Sequence, residues 1–252
     1  MARKFVASYT NRIAERLVSG KLLETGAVTF SPKEPVLLAS GLLTPVIVYQ
    51  QAFLSDAAGW RDLIELMVSR VGENLLNPEV VVGTDYSSAM IAQAIAFRMG
   101  LPAVVLHLNI NPAETLPIAA RLGIPASAVQ IGVGLTEKLM LEGSSVSGKR
   151  ALFVTDHISS GSVAERAINV LRKNGATADS ILTVTDFGFP KTKNKLAELG
   201  VKTVETIPFK GILELAEKKD LLNKEDAAQI RQWIQTPHLY GHCLIFSNHV
   251  HK

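Results

Sequence analysis

The stretch ALFVTDHISSGSVAERAINVLRKNGA, Ala151–Ala176, decides how the rest of the chain is read. It opens on an apolar run, Ala151–Val154, preceded by Lys149 and Arg150. It then turns polar through Thr155, Asp156 and His157, and Ile158 leads into Ser159, Ser160, Gly161 and Ser162. Apolar residues recur at Val163, Ala167, Ile168 and Leu171, a helical spacing that Asn174–Gly175 stops. The reading is a buried strand, a loop of small residues, and a helix whose N-terminus sits on that loop.

Small residues let a backbone approach a ligand closely, and the first turn of a helix carries amide N–H groups with no internal partner. With the hydroxyls of Ser159, Ser160 and Ser162 beside them, such a loop can cradle a phosphate. Asp156 does not bind phosphate directly, but a carboxylate suits sugar hydroxyls or a hydrated magnesium ion. A Ser/Gly helix cap beside a solvated aspartate explains the same spacing.

VTDHISSGS is similar to the phosphoribosyl pyrophosphate (PRPP) loop of type I phosphoribosyltransferases. That loop runs through two or more apolar residues, two acids, an apolar pair, two residues of Thr/Ser/Ala type, and Gly-Gly or Gly-Thr. Here Thr155 stands at the first acid, Asp156 at the second, His157 at an apolar position and Ser162 at the second small residue. The resemblance implies that Thr155, Asp156, His157, Ile158, Ser159, Ser160, Gly161, Ser162 and Val163 bind PRPP. It gives Asp156 the ribose hydroxyls and a catalytic part.

Composition bounds the rest. A chain of 252 residues suits one large domain, or a domain with a small accessory. A hydrophobic fraction of 47% and a mean hydropathy of +0.21 fit a globular protein. No apolar run approaches twenty residues and no signal-type segment follows Met1–Lys4, so the expectation is a cytoplasmic protein without a membrane partner. One cysteine, Cys243, excludes an internal disulfide framework and a multi-thiolate metal site. A net charge of +3 with 19% charged residues and no basic run argues against nucleic acid.

Outward from the cradle, Arg3–Leu23 reads as an amphipathic helix, and Gly26–Phe30 and Pro35–Ala39 as short strands. Ser40, Gly41, Thr44 and Pro45 hold the frame Ser-Gly-x-x-Ser-Pro that precedes a strand in the orotate enzyme of the family. By that resemblance Ser40, Gly41 and Thr44 belong to the base pocket, although a tight turn before a buried strand explains them as well. Ala57–Arg70 is a second amphipathic helix. Glu79–Val82 is a buried strand that ends in Gly83-Thr84-Asp85-Tyr86-Ser87-Ser88, with a helix over Ala89–Met99. The resemblance places Thr84, Asp85, Tyr86 and Ser87 beside pyrophosphate. Asp85 either binds magnesium there or caps the helix.

Leu101–Leu108 is a strongly apolar strand. Beyond it the orotate enzyme carries a basic run and a mobile loop with Lys and His, whereas here a helix around Glu114–Leu122 and a strand over Ala126–Val133 are expected. Lys138 is the only lysine between Lys33 and Lys149, and so the candidate to replace the missing ones. Ser180–Val184 is a strand ending in Thr185-Asp186-Phe187. The orotate enzyme has Asp-Arg at this point, the Arg clamping the orotate carboxylate; Phe187 has no such donor, and either stacks on a base or fills the hood. Lys191–Leu199 and Val201–Ile207 read as a helix and an edge strand, followed by helices over Gly211–Lys218 and Asn223–Gln235. His238 and His242 have the spacing of a helical zinc pair, but Pro237 and Gly241 argue against a helix there.

Strand and helix alternate from Glu79 to Ile207, which predicts an α/β fold: an open, mostly parallel twisted sheet with helices on both faces. The expected division is a helix and hood strands over 1–55, a PRPP-binding core over 56–208, and a helical tail over 209–252. The resemblance covers about Gly26–Leu199. It implies a homodimer that transfers phosphoribose from magnesium-bound PRPP to a nitrogenous base, with Mg2+ carried by Asp156, Asp85 or both. The alternative is a PRPP or nucleotide sensor on the same fold that does not turn over.

Overall fold

A computed structural model describes residues 2–38, 42–107, 120, 129–130 and 140–240. Helix α1 spans Ala2–Glu24, and four short strands follow: β1, Val28–Phe30; β2, Val36–Leu38; β3, Leu43–Thr44; and β4, Val46–Val48. A 3-10 turn at Gln50–Ser55 leads into α2, Ala57–Glu73, whose N-cap Asp56 accepts a hydrogen bond from the Gly59 amide. Then come β5, Val80–Thr84; α3, Asp85–Met99; β6, Ala103–His107; β7, Val129–Gln130; and β8, Met140–Gly143. The cradle unit is β9, Arg150–Ile158, with α4, Ser162–Lys173. It is followed by β10, Thr177–Asp186; α5, Pro190–Glu198; β11, Lys202–Glu205; α6, Phe209–Lys218; and α7, Lys224–Gln235.

The main sheet has six strands in the order β11-β10-β9-β5-β6-β8. The first five are parallel, and β8 closes the far edge antiparallel to β6. Side chains of a strand alternate between faces, and here the alternation builds two cores. Val81, Leu152, Val154, Leu182 and Val184 join one cluster with residues of α1, α2, α3, α6 and α7. Val80, Val82, Phe153 and Ile181 join the other with Ala164, Ala167, Ile168 and Leu171 of α4 and Leu196 of α5. Helices therefore cover both faces, as the alternation predicts. Helix α4 also follows the macrodipole, with Glu165 in its first turn and Arg172 and Lys173 in its last.

The first core takes in residues from Val18 in α1 to Tyr240 after α7, so α1 and α7 both pack into it. Trp233 in α7 donates its indole N–H to the Leu43 carbonyl at 3.0 Å, and the Tyr240 hydroxyl donates to the Pro32 carbonyl at 3.1 Å. Outside the main sheet, β1 pairs with β4, and β2 lies between β3 and β7.

Several elements differ from the sequence expectation. Strand β9 does not stop at Val154 but continues to Ile158, because β10 pairs alongside with Thr155 opposite Thr183 and His157 opposite Thr185. Neighbouring strands, not local polarity, decide where it ends. Helix α3 begins at Asp85 rather than Ala89, so most of the expected second loop is its first turn. Thr84 holds its N-cap position, and Asp85 is the first residue of the helix. Strand β8 has no counterpart in the sequence pattern. Of the expected strand over Ala126–Val133, Val129–Gln130 pairs with β2 in a separate sheet.

Candidate active site

The chain passes from β5 through α3 to β6 on one side, then crosses back to place β9 on the other side of β5. Strands β5 and β9 thus flank the point where strand order reverses, the place where open α/β sheets hold ligands beyond the strands' carboxyl ends. Their neighbouring helices take opposite faces, α3 in one core and α4 in the other.

On the β5 side, Gly83 makes the helix start possible. A methyl group there would lie 2.4 Å from the Ser88 carbonyl oxygen and 2.8 Å from the Ala89 Cα. Only a bare backbone lets the first turn of α3 press so closely on the strand. That approach brings Ser87 to the end of β9, where its hydroxyl donates to Asp156 Oδ2 at 3.0 Å. Ser88 meets the Thr155 hydroxyl at 3.5 Å. Thr84 is buried, and its hydroxyl has no hydrogen-bond partner among the described residues.

On the β9 side, Asp156 is buried and well partnered. Its Oδ1 accepts from the His157 backbone N–H at 2.7 Å and faces His157 Nδ1 at 3.1 Å. Burial alone pushes this carboxyl up, but the His157 charge, its ring and backbone N–H, and the Ser87 hydroxyl together hold it below the usual carboxylate range. Beyond Ile158 the loop is Ser159–Gly161. Thr192 at the start of α5 donates to the Ser159 carbonyl at 2.8 Å, and Ser160 and Ser162 face each other with their hydroxyls 3.1 Å apart. Gly161 caps α4 at φ +71°, packed so that a Cβ would meet the Thr192 methyl at 2.8 Å.

The next strand ends carry two further carboxyls that sequence reasoning did not connect. Glu205 on β11 accepts from the Asp186 amide at 2.8 Å and the Phe209 amide at 3.1 Å, and Asp186 on β10 accepts from the Gly188 amide at 2.7 Å. Burial pushes both acids up. Their juxtaposition depends on strand pairing across about twenty residues, which no local motif announces.

The expected site residues therefore differ in where they stand. Thr155, Asp156, His157, Ser159, Ser160, Gly161 and Ser162 stand together at the end of β9, with Thr84 and Ser87 beside them. Tyr86 lies on the same turn of α3 but is exposed. Ile158 is buried in the α4 core and Val163 packs against it, so both support the cradle from below. Thr44 and Phe187 are not open to a base. Thr44 is buried with its hydroxyl donating to the Val46 carbonyl and accepting from the Val46 amide. Phe187 fills an aromatic cluster with Phe189, Phe209 and Trp233, because it offers no polar group to hold it at the mouth. Ser40, Gly41, Lys138, the Asp85 side chain, Cys243 and the histidines after His238 lie outside the described residues.

No family model matches the chain. The orotate phosphoribosyltransferase of Listeria innocua is 25% identical over 227 residues, covering 90% of this chain and 98% of the relative. The crystal structure of orotate phosphoribosyltransferase from Aeropyrum pernix superposes with a TM-score of 0.61 at 23% identity, over 80% of this chain and 98% of that one. The chain is thus similar in sequence to orotate phosphoribosyltransferases over most of its length, and its fold is that of the type I phosphoribosyltransferases. Mycobacterium tuberculosis orotate phosphoribosyltransferase in complex with PRPP shares this phosphoribosyltransferase fold at a TM-score of 0.54 and 16% identity, over 79% of this chain and 98% of that one. No helix among the described residues is long and apolar enough to cross a membrane.

Proposed function

We propose that the protein transfers 5-phosphoribose from PRPP to a pyrimidine base of the orotate type and releases pyrophosphate. The observation that carries this is the Ser87–Asp156 hydrogen bond, which joins the two polar loops at the reversal of strand order. The base nitrogen forms a bond to C1 of the ribose as the C1–oxygen bond breaks, and the electron pair leaves with pyrophosphate. Positive charge grows on the ribose ring and negative charge on the leaving group, so rate depends on fixed dipoles that meet both.

Ser159, Ser160, Ser162 and the first amides of α4 suit the 5′-phosphate. Asp156 suits the ribose hydroxyls, and being ionised it steadies the charge that develops on the ring. Thr84, with a buried hydroxyl that lacks a partner among the described residues, and the first turn of α3 suit the pyrophosphate. Asp156 fits a hydrated Mg2+ as well, since that ion asks for one or two carboxylates plus substrate oxygens. When bound, the ion would neutralise pyrophosphate charge. Lys138 is proposed as the lysine of the reaction centre, and a cytoplasmic homodimer is carried over from the resemblance.

Thr155 at the position of an acid, and Phe187 enclosed where a clamp would stand, favour a second reading: a PRPP sensor without turnover. Calorimetry with PRPP and magnesium, followed by assay of pyrophosphate release with orotate, separates the two. Binding with release supports the transferase, binding without release supports the sensor, and no binding overturns both.

A further inference from the structure

Helices α1 and α6 pack on the sheet face opposite α4 and its cradle. They run side by side in the same direction: Glu24 pairs with Lys219 at 2.5 Å, and a Cβ on Gly20 would lie 4.0 Å from a Leu215 methyl. Between them, beside the Ile207–Pro208 turn, lies a cavity of about 350 Å³. That is large enough for a small metabolite. One stripe of each helix lines it: Arg12, Arg16 and Ser19 of α1, and Gly211, Leu215 and Lys218 of α6. Spacings of three and four put these residues on a single face of each helix.

The charges around this cavity do not cancel. Its described acids, Glu15 and Glu214, are already engaged: Glu15 pairs with Arg70 of α2, and Glu214 lies 3.8 Å from Lys210. Ser19 is buried, and its hydroxyl donates to the Glu15 carbonyl at 2.6 Å. Arg12, Arg16 and Lys218 are exposed, and among the described residues no carboxylate comes within 4.0 Å of any of them. Like charges four residues apart on a helix repel, so Arg12 and Arg16 cost the free protein stability, and a cation from the facing helix adds to the strain. A solvated basic face would need no hollow between the two helices. Here the three cations surround one, and an anion held in it would turn their repulsion into attraction. Guanidinium forks match phosphate oxygens two at a time, and a lysine adds a point charge.

We propose that the groove between α1 and α6 is a second ligand site, which takes a small phosphate-bearing metabolite. Arg12 and Arg16 grip the phosphate from α1, and Lys218 adds its charge from α6. Gly211 presents no side chain on its part of the wall, and a Cβ there would meet nothing within 4 Å, so the groove stays open beside the arginines. This site is separate from the cradle at the end of β9 and does not rest on the transferase reading.

The test is a calorimetric titration with inorganic phosphate, with PRPP plus magnesium held at saturation so that the cradle is filled. It compares wild type, the double variant Arg12→Gln with Arg16→Gln, and Lys224→Gln, which removes an exposed cation of α7 that does not line the groove. Wild type and Lys224→Gln are expected to bind phosphate equally, and the double variant to lose about tenfold or more, while PRPP affinity stays within about threefold. Because both arginines are exposed and unpaired, the double variant is expected to keep or raise the wild-type Tm. Phosphate should raise the Tm of wild type and not that of the double variant. Lys218→Gln, expected to lose about threefold, serves if the double variant does not fold. Absence of phosphate binding beside PRPP overturns the proposal. So does an affinity unchanged in the double variant, or an equal loss in Lys224→Gln. If wild type takes up no PRPP, the transferase reading fails by itself, and the same comparison without PRPP still decides the groove.

Discussion

Ser87 and Asp156 stand 69 residues apart in sequence and 3.0 Å apart in space. Their bond joins the first turn of α3 to the end of β9, and the hydroxyl is one of the groups that keep the Asp156 carboxylate charged. A buried carboxylate that loses a donor keeps its desolvation cost without the compensation.

Ser87→Ala is therefore expected to destabilise the fold by about 1.5–3 kcal/mol, the range for a hydrogen bond to a charged group. PRPP affinity should fall with it, because the carboxylate is less firmly held. Urea unfolding and calorimetry read the two effects. An unchanged unfolding midpoint would mean that water replaces the hydroxyl without loss.

Much of this arrangement is legible in the chain, and the misses have physical causes. The run Ala151–Val154 with the helical spacing after Ser162 locates the cradle, because burial of a central strand and of one helix face leaves a clear pattern. The polar tail Thr155–His157 resembles a loop, yet ladder pairing with β10 keeps it extended. Gly83 looks like an ordinary turn glycine; only the packed structure shows the Ser88 carbonyl where a side chain would go. Glu205 and Asp186 are silent because their meeting depends on which strands are neighbours. The sequence allows Phe187 either to stack on a base or to fill the hood, and its aromatic neighbours place it in the hood.

Gly83→Ala tests the close approach of α3 to β5. The added methyl would meet backbone at 2.4 Å, which no side-chain rotation relieves. Overpacking of this kind costs about 1–3 kcal/mol or more, and moving α3 off β5 also carries Ser87 away from Asp156. Loss of PRPP binding should accompany the lower Tm. Gly211 in α6 is the control, since nothing lies within 4 Å of its added methyl. Gly211→Ala is expected to stabilise the helix by about 0.5–1 kcal/mol with PRPP binding intact.

Asp156 sets an acid limit. Its carboxyl is held below the usual range in the fold, so the unfolded chain takes up its proton first as pH falls. The contribution is fully present above the ordinary aspartate value, near ~4, and is lost as pH falls through the lower folded value. Melting wild type and Asp156→Asn between pH 7 and pH 3 should show the largest gap at pH 7 and a narrowing one in acid. A gap constant with pH would mean that the carboxylate's charge does not contribute.

Glu205 should behave in the opposite sense. Burial raises its carboxyl, the nearby Asp186 charge adds to the rise, and two amide donors with Lys193 offset only part of it. The folded form then binds its proton more tightly than the unfolded chain, so its contribution is present below the ordinary glutamate value, near ~4.3. It is lost as pH rises through the folded value. Glu205→Gln keeps an oxygen for the Asp186 and Phe209 amides and removes the charge. It is expected to melt above wild type at pH 7 and level with it near pH 3. Glu205→Leu removes the acceptor too and strands both amides, at about 1–3 kcal/mol each, so it should melt below wild type at either pH. If Gln also melts below wild type at pH 7, then attraction to Lys193 outweighs the burial of the charge, and the Glu205 carboxylate stabilises the fold instead of straining it.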